Sequence, residues 1–252
     1  MLAAARTYYV ATTGSDTNDG LSSTNPFATI QKAINAALSV DGQNFNITIS
    51  VAAGTYNENL TVGTPFLTSA TVSLTGDTTS PSNVVVNGGL TVSNKAALTI
   101  AGFKMISSGI GLQANTGATI TINGKMEYAA CTTAHLYSTS LGSIILLADY
   151  TISGGAVFHM LASFYGSITV ASGGSPTQPS IVCTLTGTPA FTYVCYSSTI
   201  AQIFLIGLAY FGSATGTRFN VDTIAIINTG GGGDNYVPGD AAGNKGVGGL
   251  YL

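Results

Sequence analysis

Ala97-Leu98-Thr99-Ile100-Ala101-Gly102 can be laid over Thr119-Ile120-Thr121-Ile122-Asn123-Gly124, apolar residue on apolar residue and glycine on glycine. Further copies read Ile144-Ile145-Leu146-Leu147, Gly166-Ser167-Ile168-Thr169-Val170 and Gln202-Ile203-Phe204-Leu205-Ile206-Gly207. Matching Ile100, Ile122, Leu147, Val170 and Leu205 gives steps of 22, 25, 23 and 35 residues. A strand of four or five residues turns alternate side chains to one face and cannot bury that face alone. Copies stacked at a fixed step, about three short strands to each, build a continuous core. The reading is all-β: a parallel solenoid of about seven or eight coils.

Composition agrees with many buried strands under an uncharged surface. Charged residues make up 7% of the 252, against roughly 25% in ordinary soluble domains, and the mean hydropathy is +0.40. The apolar residues come in fours and fives between Gly, Ser, Thr and Asn, far short of the roughly 18 consecutive ones of a membrane helix. A hydroxyl-rich surface of low charge suits a subunit packed in an assembly. Net charge is −3 with seven Lys and Arg and no basic cluster, which argues against nucleic-acid binding. Cys131, Cys183 and Cys195 are odd in number and show no paired spacing, so they read as buried small residues rather than a disulfide framework or a zinc site. The opening Met1-Leu2-Ala3-Ala4-Ala5-Arg6 runs straight into strand-like Thr7-Tyr8-Tyr9-Val10, and the expectation is synthesis in a cytoplasm without classical secretion.

Three regions follow. Residues 1–45 hold a first strand, a turn-rich loop from Thr12 to Thr24 and a helix, with Asn25 as N-cap and Pro26 in the first turn. Phe27, Ile30, Ala33, Ile34, Ala37 and Leu38 fall on one helical face; laid across the open end of the solenoid, that face would shield core and strand edges. Residues 46–227 are the coils, and the long step is assigned to an inserted loop, Ser172 to Ser180. Residues 228–252 open with Gly230 to Gly233 and stay glycine-rich, so this tail is expected to hang free or to pair with a neighbouring chain.

The N-terminal motifs carry a resemblance. Tyr9-Val10, Gly14-Ser15-Asp16 with Asn18-Asp19-Gly20, Pro26-Phe27-Ala28-Thr29-Ile30-Gln31-Lys32-Ala33, and Val51 with Gly54-Thr55-Tyr56 and Glu58 resemble the cap and first coil of right-handed parallel β-helix proteins. This is the pectate-lyase-like superfamily, which includes many bacteriophage tailspike and tail-fibre proteins. The likeness covers about the first 60 residues. It implies a right-handed parallel β-helix with an N-terminal capping α-helix. Lyases, hydrolases and non-catalytic virion proteins share such a cap, so it does not choose among activities. Pro238-Gly239-Asp240-Ala241-Ala242-Gly243 with Gly248-Gly249 resembles the endings of phage tail proteins.

Groups for chemistry are scarce. Between Leu60 and Asn220 the acids are Asp77, Glu127 and Asp149, and a glycosidase needs two carboxyl groups roughly 5–9.5 Å apart. Laying Asp149 over Gly124 puts Glu127 three positions further round, which disfavours a tight retaining pair and leaves an inverting one open. No acidic cluster in the body suits calcium, and Asp16-Thr17-Asn18-Asp19-Gly20 fails as an EF-hand because its twelfth position is Phe27. No cofactor or metal is expected. Gln113, His135 and His159 are 22 and 24 residues apart and, by strict alternation, would form an outward axial ladder. Tyr137 would point outward with His135, and Tyr137, His135 and His159 are the candidate contacts for a carbohydrate or receptor; Tyr128, Tyr150 and Tyr165 have no assigned face.

The functional expectation is a structural or receptor-contacting bacteriophage virion protein, a tailspike, tail-fibre or other appendage subunit, without catalysis. Its partners would be two copies of itself in a homotrimer, other virion proteins and a host surface glycan, with no nucleic acid and no membrane insertion. It would be made in the host cytoplasm and reside in the virion. The alternative is a polysaccharide lyase or glycoside hydrolase of the same fold, with Glu127, Asp149 and Asp77 as its candidates. A bacterial carbohydrate-binding surface protein is a third reading.

Overall fold

A computed structural model of the chain describes residues 1–171 and 180–252. It is a right-handed parallel β-helix. The strands fall into three parallel sheets whose order follows the chain. Sheet 1 has ten strands, from Arg6–Val10 to Leu250–Tyr251; sheet 2 has seven, from Gly54–Tyr56 to Leu208–Phe211; sheet 3 has eight, from Leu60–Val62 to Asn244–Lys245. The chain visits sheets 1, 2 and 3 in turn and rises one strand spacing per coil, roughly 4.8 Å.

The core is a set of vertical ladders. In sheet 1, Leu98, Ile120, Ile144, Ile168, Ile203, Ile227 and Tyr251 stand one above another. The neighbouring file runs Ile49, Leu74, Ile100, Ile122, Leu146 and Val170. Every rung is buried. Parallel pairing aligns like residues, so repeating the same aliphatic side chain fills each layer in the same way as the last. The register corrects one sequence match: Leu146, not Leu147, lies over Ile122, and Leu147 is exposed. Both residues are apolar, so hydropathy alone could not separate them. The expected loop from Ser172 to Ser180 lies outside the described residues up to Pro179.

At the N-terminal end the helix spans Ile30–Leu38 and buries Ile30, Ala33, Ile34 and Ala37. It starts later than Asn25-Pro26 implied. Phe27 is extended and bridges Val10 in parallel. Asp16 accepts the N–H groups of Ala28 and Thr29 at 2.9 and 3.0 Å. Thr29 is the N-cap, its hydroxyl accepting from Lys32 N–H. Glu58 reaches across from the first coil and takes the N–H groups of Ile30 and Gln31, both at 2.9 Å. The free donors of a helix start are thus met by two carboxylates, the arrangement its dipole favours.

The C-terminal residues neither hang free nor await a neighbour. Asn244–Lys245 pairs with Thr215–Val221, and Leu250–Tyr251 pairs with Ile226–Asn228, so the tail is a further coil of the same chain. The Tyr251 ring stacks on Phe219 with centroids 3.7 Å apart, Val237 is buried, and the Tyr236 hydroxyl donates to the carbonyls of Leu205 and Leu208. Its glycines serve close approach. A Cβ on Gly243 would sit 2.1 Å from the Phe219 ring, and one on Gly249 would sit 2.1 Å from the Val221 carbonyl oxygen.

Candidate functional site

The strands of sheet 3 bend, and the bend decides where the candidate side chains go. Ala134 pairs with Phe158 and Phe158 with Tyr193, while Tyr137 pairs with Leu161 and Leu161 with Tyr196. Phe158, Leu161, Tyr193 and Tyr196 are half-exposed. Between them His159-Met160 and Val194-Cys195 are fully buried. Two consecutive residues therefore turn inward, where strict alternation allows one. His135-Leu136 shares the pattern, and both are fully buried.

This overturns the outward histidine ladder. His135 and His159 lie in the core, out of reach of any ligand on the outside, and Gln113 stands beside Tyr137 rather than in file with His135. The two rings meet edge to face, Nδ1 to Nδ1 at 3.1 Å, and His159 Nε2 lies 3.1 Å from the Tyr150 hydroxyl. Tyr128 stacks on His135 and Phe191 closes the other side. Burial holds His135 down at about 4; the carbonyls of Ala129 and Gly155 oppose that shift, though neither makes a hydrogen bond with Nε2. Burial, then the neighbouring His135, holds His159 well below its ordinary value. Both rings are neutral, and one proton order makes both bonds while leaving a single ring nitrogen, His135 Nε2, unpartnered. Tyr150 O–H donates to His159 Nε2, and His159 Nδ1–H donates to His135 Nδ1. The last proton then sits on His135 Nε2, toward the two carbonyls. The pair is an internal polar clasp.

The three carboxylates are each already held. Glu127 and Asp149 line one cleft of about 220 Å³ on sheet 2 with Lys125, Thr151 and Thr184, and Thr79 and Pro81 of the Asp77 loop form its rim. Glu127 pairs with Lys104 at 2.9 Å and accepts from Ser153 Oγ at 2.5 Å. Asp149 accepts Val182 N–H at 2.8 Å. Asp77 accepts the N–H groups of Thr79 and Ser80 and the Asn83 amide, and these bonds, Ser80 first, lower its pKa. Met126 pairs with Tyr150, which puts Asp149 beside Lys125 and Glu127 two positions further on. Among the described residues, no group of three or more His, Cys, Asp and Glu could hold a metal ion, and no helix is long and apolar enough to cross a membrane.

The outer face of sheet 3 has the stronger surface chemistry. Phe158 and Tyr193 stack nearly parallel, centroids 6.2 Å apart, and Tyr196 leans on both at 5.3 and 5.6 Å. A polar rim borders them. Tyr196 O–H donates to Asp222 Oδ2 at 3.2 Å, Asn220 donates to the same oxygen at 3.1 Å, and Asn244 donates to Asn220. Burial and then Asp222 raise the Tyr196 pKa. Tyr137, two coils before Tyr196 in the same file, is half-buried with its hydroxyl 3.1 Å from Ser163 Oγ. The sequence reading singled out Tyr137 and missed Phe158, Tyr193 and Tyr196. The signal was there: the pairs Phe158/Leu161 and Tyr193/Tyr196 repeat a spacing of three one long step apart.

A family model described as a protein of unknown function, DUF1565, matches residues 12–134, the cap and the first coils. No curated protein and no solved structure matches the chain.

Proposed function

We propose that this chain is a non-catalytic structural subunit of a bacteriophage appendage, assembled as a homotrimer in the virion, that contacts a host surface glycan through the outer face of sheet 3. The observation that carries the glycan contact is the partly exposed cluster of Phe158, Tyr193 and Tyr196 beside Asp222. A pyranose ring presents C–H groups on its flat face and hydroxyls at its edge. Aromatic faces attract the first, and the partly exposed Asp222 carboxylate, which keeps a lone pair beyond its bonds to Tyr196, Asn220 and Thr223, accepts from the second. The likeness of the cap to virion β-helix proteins supports the phage setting.

The second reading, a polysaccharide lyase or glycoside hydrolase, draws on Glu127 and Asp149 lining one cleft. Against it, both contacts of Glu127, the ion pair with Lys104 and the bond from Ser153, are made within the protein, so neither positions it toward a bound sugar.

The test is binding of the purified full chain to an array of bacterial surface polysaccharides. The expected result is binding weakened at least tenfold in Tyr193→Ala and Tyr196→Ala, each a loss of about 1.4 kcal/mol or more, and no cleavage of the bound glycan. Absence of binding to any glycan contradicts the contact. Cleavage that Glu127→Gln abolishes establishes the second reading instead.

A further inference from the structure

Seven four-residue turns carry the chain from sheet 3 to sheet 1, at 93–96, 115–118, 139–142, 163–166, 198–201, 222–225 and 246–249. In each the fourth N–H donates to the first carbonyl. They stack in one column, tied by bonds such as Leu141 N–H to Phe164 O, Tyr165 N–H to Thr199 O and Ile200 N–H to Thr223 O. In the first six, both central residues have φ between 45° and 73°. This is the primed type I turn, whose left-handed centre favours Asn and Gly.

The residues present are the wrong ones for that backbone. Ser140-Leu141, Phe164-Tyr165, Thr199-Ile200 and Thr223-Ile224 fill the centres of four successive turns, and β-branched or bulky side chains resist this conformation. Nor are they repaid by burial. Leu141, Phe164, Tyr165, Ile200, Ile224 and, in the seventh turn, Val247 are 39–93% exposed. They form a straight apolar ridge over five consecutive coils, and the only charged residue within those five turns, Asp222, is held by Tyr196, Asn220 and Thr223.

We propose that this ridge is the seam along which copies of this chain associate side by side. The seam rests on the reading of the chain as an assembled subunit. Two properties select a second copy as the occupant. The ridge repeats once per coil, roughly every 4.8 Å, and a surface that interdigitates with it over its whole length needs the same period, which another copy of the ridge has. At roughly 200 Å² for a large side chain, these exposures amount to on the order of 700 Å², close to the roughly 800 Å² per partner of a stable interface.

Light scattering on the full chain and on the double variant Leu141→Asn/Ile224→Asn tests the seam. Asparagine tolerates the left-handed region better than leucine or isoleucine, so the variant keeps its fold, and an unchanged far-ultraviolet spectrum verifies this. The expected result is an oligomer for the natural chain and a single chain for the variant, with association weakened on the order of 100-fold or more. A natural chain that is monomeric at every concentration overturns both the seam and the assembled-subunit reading. An oligomer whose mass the variant leaves unchanged overturns the seam alone.

Discussion

His135 and His159 are held in the neutral form by burial, and that burial couples the fold to acidity. Unfolded, each ring titrates near 6.5; folded, His135 is held at about 4 and His159 well below its ordinary value. Above pH 6.5 both states are neutral at these sites and stability does not depend on them. As pH falls below 6.5 the unfolded chain takes up protons that the folded chain refuses, so stability declines until the folded values are reached. For His135 alone the loss approaches about 3 kcal/mol by pH 4. Urea midpoints measured from pH 7.5 to pH 4 should fall steadily below 6.5, and the doubly substituted His135→Gln/His159→Gln chain should lose most of that slope, since an amide keeps hydrogen bonds without titrating. An equal slope in both chains would place the acid sensitivity elsewhere. The sequence showed these two residues at the coil spacing but turned them outward. Alternation fails at a bend, and nothing in Ala134-His135-Leu136 distinguishes a bent strand from a straight one.

Single elements are held by side chains far off in sequence, and that limits what local reading finds. The capping helix was legible from its apolar face at Ile30, Ala33, Ile34 and Ala37. Its first residue was not, because the start is set by Asp16 and Glu58, thirteen residues before and 29 residues after Thr29. Asn25-Pro26 is a good local start signal overruled by two carboxylates that local rules do not see. Replacing Glu58 by Ala leaves the N–H groups of Ile30 and Gln31 without their acceptors and unties the helix from the first coil. The expected cost is about 2 kcal/mol, seen as a lower melting temperature and as faster amide exchange over 30–34. Glu58→Gln should recover part of it, since its carbonyl can accept from one of the two N–H groups while its amide repels the other. Unchanged exchange at these amides in Glu58→Ala would mean that Thr29 and Asp16 suffice. The ladders of sheet 1 were legible for the opposite reason: each rung repeats its neighbour, so the period is written locally many times over.

A solenoid's coils touch only their neighbours, so its two ends are its weak points and each needs a cover. The helix covers the first. The second is the last coil, which composition misrepresents: a glycine-rich stretch reads as loose chain, whereas Gly243 and Gly249 are small because Phe219 and the Val221 carbonyl leave no room for a Cβ. Removing residues 228–252 takes away Tyr251 and Val237 and bares Phe219, Val221 and Ile227. Because coupling passes only between adjacent coils, the damage should be graded. In the truncated chain, amide protection should collapse over 215–227, weaken over 202–204, and stay near its full value over 47–51 and 119–122. Tyr251→Ala, which removes one aromatic face from the end of the stack, should show the same gradient at a smaller amplitude, costing about 3 kcal/mol. What is lost is the chain's own last coil, because the strands that Asn244–Lys245 and Leu250–Tyr251 complete belong to the same chain. Protection lost equally at both ends would show that the whole β-helix unfolds as one unit. Protection over 215–227 that returns with rising concentration would show that a neighbouring chain can take the place of the missing coil.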